Sequence, residues 1–443
     1  MKKLINIIIS MGLAASLVGC GNSSASTGTS SASAASTSAA STSSEGENVE
    51  LTLWTASSDA WLDALQTVVN GFESENPNIK INIESFPYKD FESKIQTSLI
   101  DGTGADMYEM WGGWAVDYSP TGALTQIPDD FAKQVMDECY APTYGAFLAN
   151  GKLYGIPMEF NIENGGMLVN LNLMNEMGLT VPTTWDEMIE TAKKGTKIDS
   201  DGNFEVKGLE FVNGDTVTFL YLSLILQLGG DYMNEDQTAF TFDTDESKKA
   251  FQILADLVTV DKVTNTEVIS GGGTLDADEE LFAGQALMCP RGPWVVSKGI
   301  SSFNLELGKD FDYVAMPWYT DNPEFAAENG WSLAGNAKSP HQEEIIKFMK
   351  YFYQDDVMMQ HNLTCVTVPP KKSIAESSTY LDQMTYIKPL VSSLSDSRFI
   401  GYFNSDTLKH NINIVFANYC AGEYDSIDSA MNELNTLEDQ LLS

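Results

Sequence analysis

Eight tryptophans and only two arginines carry most of the chemical signal in this 443-residue chain. Trp111 and Trp114 lie in Met110-Trp111-Gly112-Gly113-Trp114, where the glycines let other backbone come close. Trp54 and Trp61 bracket Thr55-Ala56-Ser57-Ser58-Asp59-Ala60, whose Asp59 is placed either to meet a ligand or to cap a helix. Trp294 follows Arg291 by three residues, Trp331 precedes Ser332, and Tyr402 and Phe403 follow Arg398. Glu159, Asn161 and Glu163 alternate just after Pro157 and offer a row of acceptors and donors. Flat rings stack on apolar C–H faces, while carboxylates, amides and a planar guanidinium hold hydroxyl edges. That combination fits a pyranose. Each residue also has a plainer reading: the tryptophans and Tyr402 as core, Asp59 as a cap, Arg291 in an ion pair, the alternating acids as a solvated strand. Trp185 opens a helix and is read as structural only, and Trp61 is expected to pack.

Other chemistries find no support. No G-x-x-x-x-G-K-[ST] occurs, so any nucleotide hydrolysis belongs to a separate chain. Asp199-Ser200-Asp201-Gly202-Asn203 begins like a calcium loop, but Phe204 stands where glycine is required, and a hairpin turn is the better account. His341, His361 and His410 have no partners at metal or triad spacing, so no metal, cofactor or catalytic residue is expected. Cys139, Cys289, Cys365 and Cys420 are far apart with no C-x-x-C pair; an oxidising compartment leaves room for one or two disulfides, with isolated buried thiols the default reading. Two rivals remain. The 62 carboxylates leave room for the catalytic pair of an exported glycoside hydrolase. Acids and aromatics together also suit a cationic solute such as a polyamine.

The charge narrows the partners. With 25 Lys and Arg against 62 Asp and Glu the net charge is −37, and loss of Lys2 and Lys3 with residues 1–19 makes it −39. Such a surface repels nucleic acid and anionic headgroups. Lys2 and Lys3 precede an apolar stretch from Leu4 to Val18, too short to span a bilayer and suited to a secretory signal. Leu17-Val18-Gly19-Cys20 resembles the lipobox of bacterial lipoproteins, which implies a diacylglycerol on the Cys20 sulfur and cleavage before it. Residues 20–48 are then the lipidated cysteine and a Ser/Ala/Thr linker with no apolar face to bury. Its typical reach is roughly 30 Å.

The elements that must position these residues begin at Val49. Val49–Trp54 alternates as a strand, and Trp61, Leu65, Val68, Val69 and Phe72 fall at helical spacing. Asn76-Pro77-Asn78 stops that helix, Ile79, Ile81 and Ile83 alternate again, and a helix through Phe91, Ile95 and Leu99 leads to a strand at Asp106–Met110. After Gly155 the same alternation resumes, with a strand at Met167–Asn170, a helix opened by Thr184 and a strand at Ala286–Met288. Helices are expected over Val217–Leu228, Ser247–Val258, Gln342–Tyr353 and Ser426–Leu442. Strands alternating with helices indicate parallel sheets of the α/β class.

Ten segments in order resemble the family 1 extracellular solute-binding proteins, the maltose-binding-like receptors of ABC importers. They are Leu53-Trp54, Phe72-Glu73 with Asn76-Pro77-Asn78-Ile79, Gly104-Ala105-Asp106-Met107, Gly122-Ala123-Leu124, and Gly151 through Pro157. Val181 through Glu187, Gly284 through Met288, Gly292-Pro293-Trp294, Leu333 through Asn336, and Val368 through Ser373 complete the series. Ala105, where proline is usual, and Pro370 depart from the pattern.

The resemblance implies a two-lobed α/β fold, with ligand in a cleft and three crossings near residues 158–163, 316–321 and 366–371. One lobe is expected from 49–160 and 320–368, the other from 161–319 and 369–443. It implies no catalysis, and capture of a mono- or oligosaccharide by a monomer for delivery to ABC permease subunits. The chain is then held on the outer side of the cell membrane by the Cys20 lipid. Trp294 falls where the family places the stacking aromatic of its second lobe. The expected ligand contacts are Trp54, Asp59, Trp111, Trp114, Glu159, Asn161, Glu163, Arg291, Trp294, Trp331 and Tyr402.

Overall fold

The computed structural model describes residues 48–272 and 275–442; the expected signal segment, Cys20 and the linker lie outside the described residues. No helix among the described residues is long and apolar enough to cross a membrane.

The first lobe is built on a five-stranded sheet. Its order is Ile79–Ser85, Val49–Thr55, Met107–Trp111, Trp331–Gly335, Gly155–Pro157. Alternate residues of the opening strand, Leu51, Leu53 and Thr55, turn inward, as a strand of period two requires. The first three strands run parallel, with helices Asp59–Glu75 and Tyr88–Asp101 as connections. Trp331–Gly335 then enters antiparallel to both neighbours, so the sheet is mixed. Its register sets Trp331 directly opposite Trp111. Directly opposed residues share a face. Two indoles that lie far apart in the chain therefore stand side by side.

The second lobe departs from the expected parallel pattern. Met288–Pro290, Gly166–Asn170 and Phe311–Ala315 form a sheet that is antiparallel throughout. The strand expected over Ala286–Met288 lies two residues later, at Met288–Pro290. Alternation of strands and helices says which elements exist but not from which end the chain returns to a sheet. Here the return follows a long helical excursion around Thr216–Gln227, every residue of which is buried. A helix apolar on all sides belongs at a centre. Earlier in the lobe, Thr184 caps helix Trp185–Gly195 by accepting from the Glu187 N–H, and Asp199 closes a hairpin between Lys197–Ile198 and Phe204–Val206.

Between the lobes lies a third, short sheet in which the crossings meet. Phe160–Asn161 pairs antiparallel with Phe325–Asn329, which pairs parallel with Ser397–Phe399. Val368 bridges to Phe160, bringing in the segment that follows helix Asp355–Cys365. A small core of its own, including Phe160, Ile162, Phe325, Ala327 and Val368, fills the junction. Cys139, Cys289, Cys365 and Cys420 are all free thiols.

Asn329 pins this junction. It is fully buried; its Oδ1 accepts from the Ala146 N–H at 2.7 Å, and its Nδ2 donates to the Thr143 carbonyl. Asn329→Ala strands both backbone groups in a dry interior. A loss of about 2 kcal/mol or more in urea unfolding is expected, at about 1–3 kcal/mol per unsatisfied group.

Candidate binding site

A cavity of about 320 Å³ opens between the lobes, at the small end of the roughly 300–1,000 Å³ of ligand pockets. Its first wall is aromatic. Trp111 and Trp331 meet edge to face with centroids 5.5 Å apart, and Tyr88 stands 6.1 Å from Trp331 at the mouth. Ala56, Ser57, Ser58 and Trp61 continue this side. The loop is held from behind by Glu109, which accepts from the hydroxyls of Thr55 and Ser57. Trp61 faces the cavity, although packing was expected of it.

The opposite wall carries Trp294. Its Nε1 donates to Glu163 Oε1 at 3.2 Å, and the Arg291 guanidinium lies 4.8 Å from its ring centroid. Gly292 makes room: a Cβ there would come within 2.4 Å of the Trp294 ring and 2.8 Å of the Ile162 carbonyl. Arg291 itself is buried behind the wall, paired with Asp215 at 3.1 Å, Glu163 at 3.5 Å and Asp278 at 3.7 Å. It holds the ring and the carboxylates, and does not line the cavity.

The floor comes from the crossings. Glu159, Asn161 and Glu163 on the first crossing line it with Glu328 on the second, and Asp215 and Lys409 join them from the second lobe. The second crossing lies at Phe325–Asn329 rather than near 316–321, because Met316 and Ala326 still pack in the second-lobe core. The pairing of Glu328 opposite Asn161 brings the two crossings to one place. Lys409 Nζ sits 2.9 Å from Glu328 Oε1, 3.3 Å from Asp406 Oδ1 and 3.5 Å from Asp215 Oδ1.

Burial governs the acidities. Glu159 is pushed up to about 8, mainly by burial; the Trp331 N–H offsets part of this, and the charges of Glu109 and Glu163 add to it. Glu328 is pushed up to about 7 by burial, against the opposing pull of Lys409 and the nearby Ser405 hydroxyl. Burial also raises Glu163, with Arg291 pulling the other way. Burial disfavours the charge of Lys409, but Glu328, Asp215 and Asp406 outweigh it and hold the ammonium protonated. Asp215 is lowered because Lys409 and Arg291 overcome its burial.

Of the residues singled out in the sequence, Trp111, Glu159, Asn161, Glu163, Trp294 and Trp331 come together here. The others stand elsewhere. Trp54 packs edge-on against Phe86 and Tyr108, under the Lys94 ammonium. Asp59 is the first residue of its helix, with Ser58 at the cap position. Trp114 is buried and spends its N–H on Asp406 Oδ2 at 3.0 Å. Tyr402 is exposed and touches Phe399. Sequence reasoning missed Tyr88, Asp215, Glu328 and Lys409. Glu328 had a signal, being the one charge in the otherwise apolar run Phe325-Ala326-Ala327.

Known proteins give this geometry a context. The family model described as bacterial extracellular solute-binding protein matches residues 55–359. A multiple sugar-binding protein of Streptococcus mutans is 24% identical over 339 residues, covering 72% of this chain and 74% of that protein. The GacH receptor of Streptomyces glaucescens, solved unliganded and with acarbose, aligns with a TM-score of 0.71 at 20% identity over 90% of this chain and 99% of its own. A solute-binding protein of Thermotoga lettingae, solved with α-D-tagatose, aligns with a TM-score of 0.71 at 20% identity over 89% of this chain and all of its own.

The raised acidity constant of Glu159 has a measurable consequence. Its folded value of about 8 exceeds the ordinary 4.5, so the stabilisation of the neutral form is complete below about pH 4.5 and is lost as pH rises through 8. Glu159→Gln removes the ionisation and retains an acceptor for the Trp331 N–H. Urea unfolding should show the variant gaining on the parent by about 1 kcal/mol or more across that window. Equal pH slopes in the two proteins would mean that Glu159 stays ionised in the fold.

Proposed function

The chain belongs to the bacterial extracellular solute-binding protein family, and from that premise we propose that it captures a mono- or oligosaccharide for delivery to the permease of an ABC importer. The observation that carries this is the cavity itself: Trp111 and Trp331 on one wall, Trp294 on the other, and hydrogen-bonding groups between them on the crossings. A pyranose needs both kinds of surface, ring faces for its C–H groups and fixed polar atoms for its hydroxyls. Relatives support the class of ligand, since one is named for multiple sugars and solved neighbours hold acarbose or tagatose. The protein acts as a monomer by binding rather than by turnover. Closure of the lobes over the sugar is the form the permease reads, a population shift driven by contacts made only when shut. A lipid on Cys20 keeps it on the outer face of the membrane.

Trp294→Ala tests the site. Removing an aromatic anchor from the second lobe costs about 2 kcal/mol, roughly thirtyfold in affinity, and leaves the lobes more open at saturating sugar. Calorimetry and small-angle scattering read the two effects. Unchanged affinity in a destabilised protein assigns Trp294 to the core instead.

Anchoring is tested separately. Cys20→Ala should lose fatty-acid labelling and appear in the medium or as unprocessed precursor. Unchanged labelling overturns the lipid reading and leaves the sugar reading untouched.

A further inference from the structure

The charge around the cavity does not balance. Glu159, Glu163, Asp215 and Glu328 line it, and Lys409 is the one cation among the lining residues. Arg291 adds a second from behind, but both cations are shared outward: Arg291 with Asp278 and Lys409 with Asp406. Lys298 relieves Asp278 at 2.7 Å and is itself turned away toward Glu279. Among the described residues no cation lies within ion-pair distance of Glu159, or of Glu109 behind Ser57.

Two carboxylates are also incomplete. Glu163 and Glu328 are 5% and 2% exposed, and the Oε2 of each makes no hydrogen bond, that of Glu163 having only the Arg291 guanidinium at 3.5 Å. Each gives its other oxygen to one donor, Trp294 Nε1 or Lys409 Nζ. A buried carboxylate oxygen without a donor is costly, and the cost grows with each like charge beside it. Protons relieve part of the excess, in keeping with the raised values of Glu159 and Glu328. A ligand ammonium relieves it in a second way, by bringing a positive charge and several N–H donors at once. A neutral sugar brings donors and leaves the charge. The aromatic wall accepts either, because an indole face holds cations as well as C–H groups.

We propose that the ligand of this cavity is an amino sugar with a free, protonated amine, its ring between the tryptophan walls and its ammonium toward Glu163, Asp215 and Glu328. This rests on the sugar-capture reading and names the chemical class within it. Acidic and phosphorylated sugars are excluded, because both cations are already engaged by carboxylates.

The test is calorimetry on the mature protein with matched pairs. Glucosamine, galactosamine and mannosamine are set against glucose, galactose and mannose, as monomers and β-1,4 dimers, with putrescine as an amine without a ring. An amino sugar should bind about tenfold or more tighter than its neutral partner, the yield of a charged hydrogen bond. Its binding should release protons, seen as a heat that changes with the buffer. Glu328→Gln and Glu163→Gln should each shrink the ratio of amino-sugar to neutral-sugar affinity, with circular dichroism and a thermal melt showing separately that the variants fold; an unchanged ratio in folded variants overturns the proposal. Neutral sugars binding as tightly as amino sugars overturns the proposal and leaves sugar capture standing. Tight putrescine binding with no response to any sugar overturns both, and so does silence from the whole set.

Discussion

Residues Glu328 and Asn329 pair antiparallel with Asn161 and Phe160, and that short ladder is the constraint on which the site depends. It brings two crossings from opposite directions into one plane and buries their side chains between the lobes. On one of these strands Glu328 faces the cavity; on the other Asn161 does, with Glu159 and Glu163 two residues to either side. A strand of period two presents every second side chain on the same face. Three polar groups in a row thus follow from one pairing. Asn329, beside Glu328, points the other way and ties the strand to the Thr143–Ala146 loop.

Placing carboxylates at a junction that must stay dry creates a debt of desolvation, and the surroundings are arranged around it. Asp215 is the link, since it touches both cations, Arg291 at 3.1 Å and Lys409 at 3.5 Å. A chain of alternating sign runs from Lys298 through Asp278, Arg291, Asp215 and Lys409 to Glu328. Removing one member of such a chain leaves its neighbour buried and unpaired, which costs more than the pair contributed. The stacking of Arg291 under Trp294 and the Trp294–Glu163 bond attach the second wall to this chain. The ring is therefore placed by the same ions that set the acidity of the floor.

Much of this was legible in the sequence, and the part that was not has a physical reason. Local period and stop signals place the first helix over residues 60–74, and it is found at Asp59–Glu75. Trp111, Trp294 and Trp331 announced themselves because a large aromatic beside glycine or a strand end has few bland uses. Lys409 did not, because it lies inside helix Ser405–Cys420 and reads as its solvent face. Only the fold shows that face pressed against Glu328 and Asp215. Trp54 and Trp114 misled for the opposite reason. Their rings look exposed by motif, yet one is sealed by Phe86 and Tyr108 and the other by Asp406. Strand direction was also hidden, since it is set by which sheet edge is open when the chain returns, and that is a property of the assembled lobe.

Trp114 ties the two lobes together even though it does not line the cavity. It belongs to the core of the first lobe, whereas Leu408, Ile412 and Phe416 root helix Ser405–Cys420 in the core of the second. The bond from Trp114 Nε1 to Asp406 Oδ2 therefore joins the lobes, and Asn404 Nδ2 adds a second tie to Asp117 Oδ2 at 3.2 Å. The other oxygen of Asp406 holds Lys409 on the cavity floor. Asp406 thus stands between the cavity floor and the first lobe, one oxygen on Lys409 and the other on Trp114. A tie across the boundary that shares a carboxylate with the floor needs no long pathway between the two, because a ligand moves an equilibrium of forms only through contacts that differ between them.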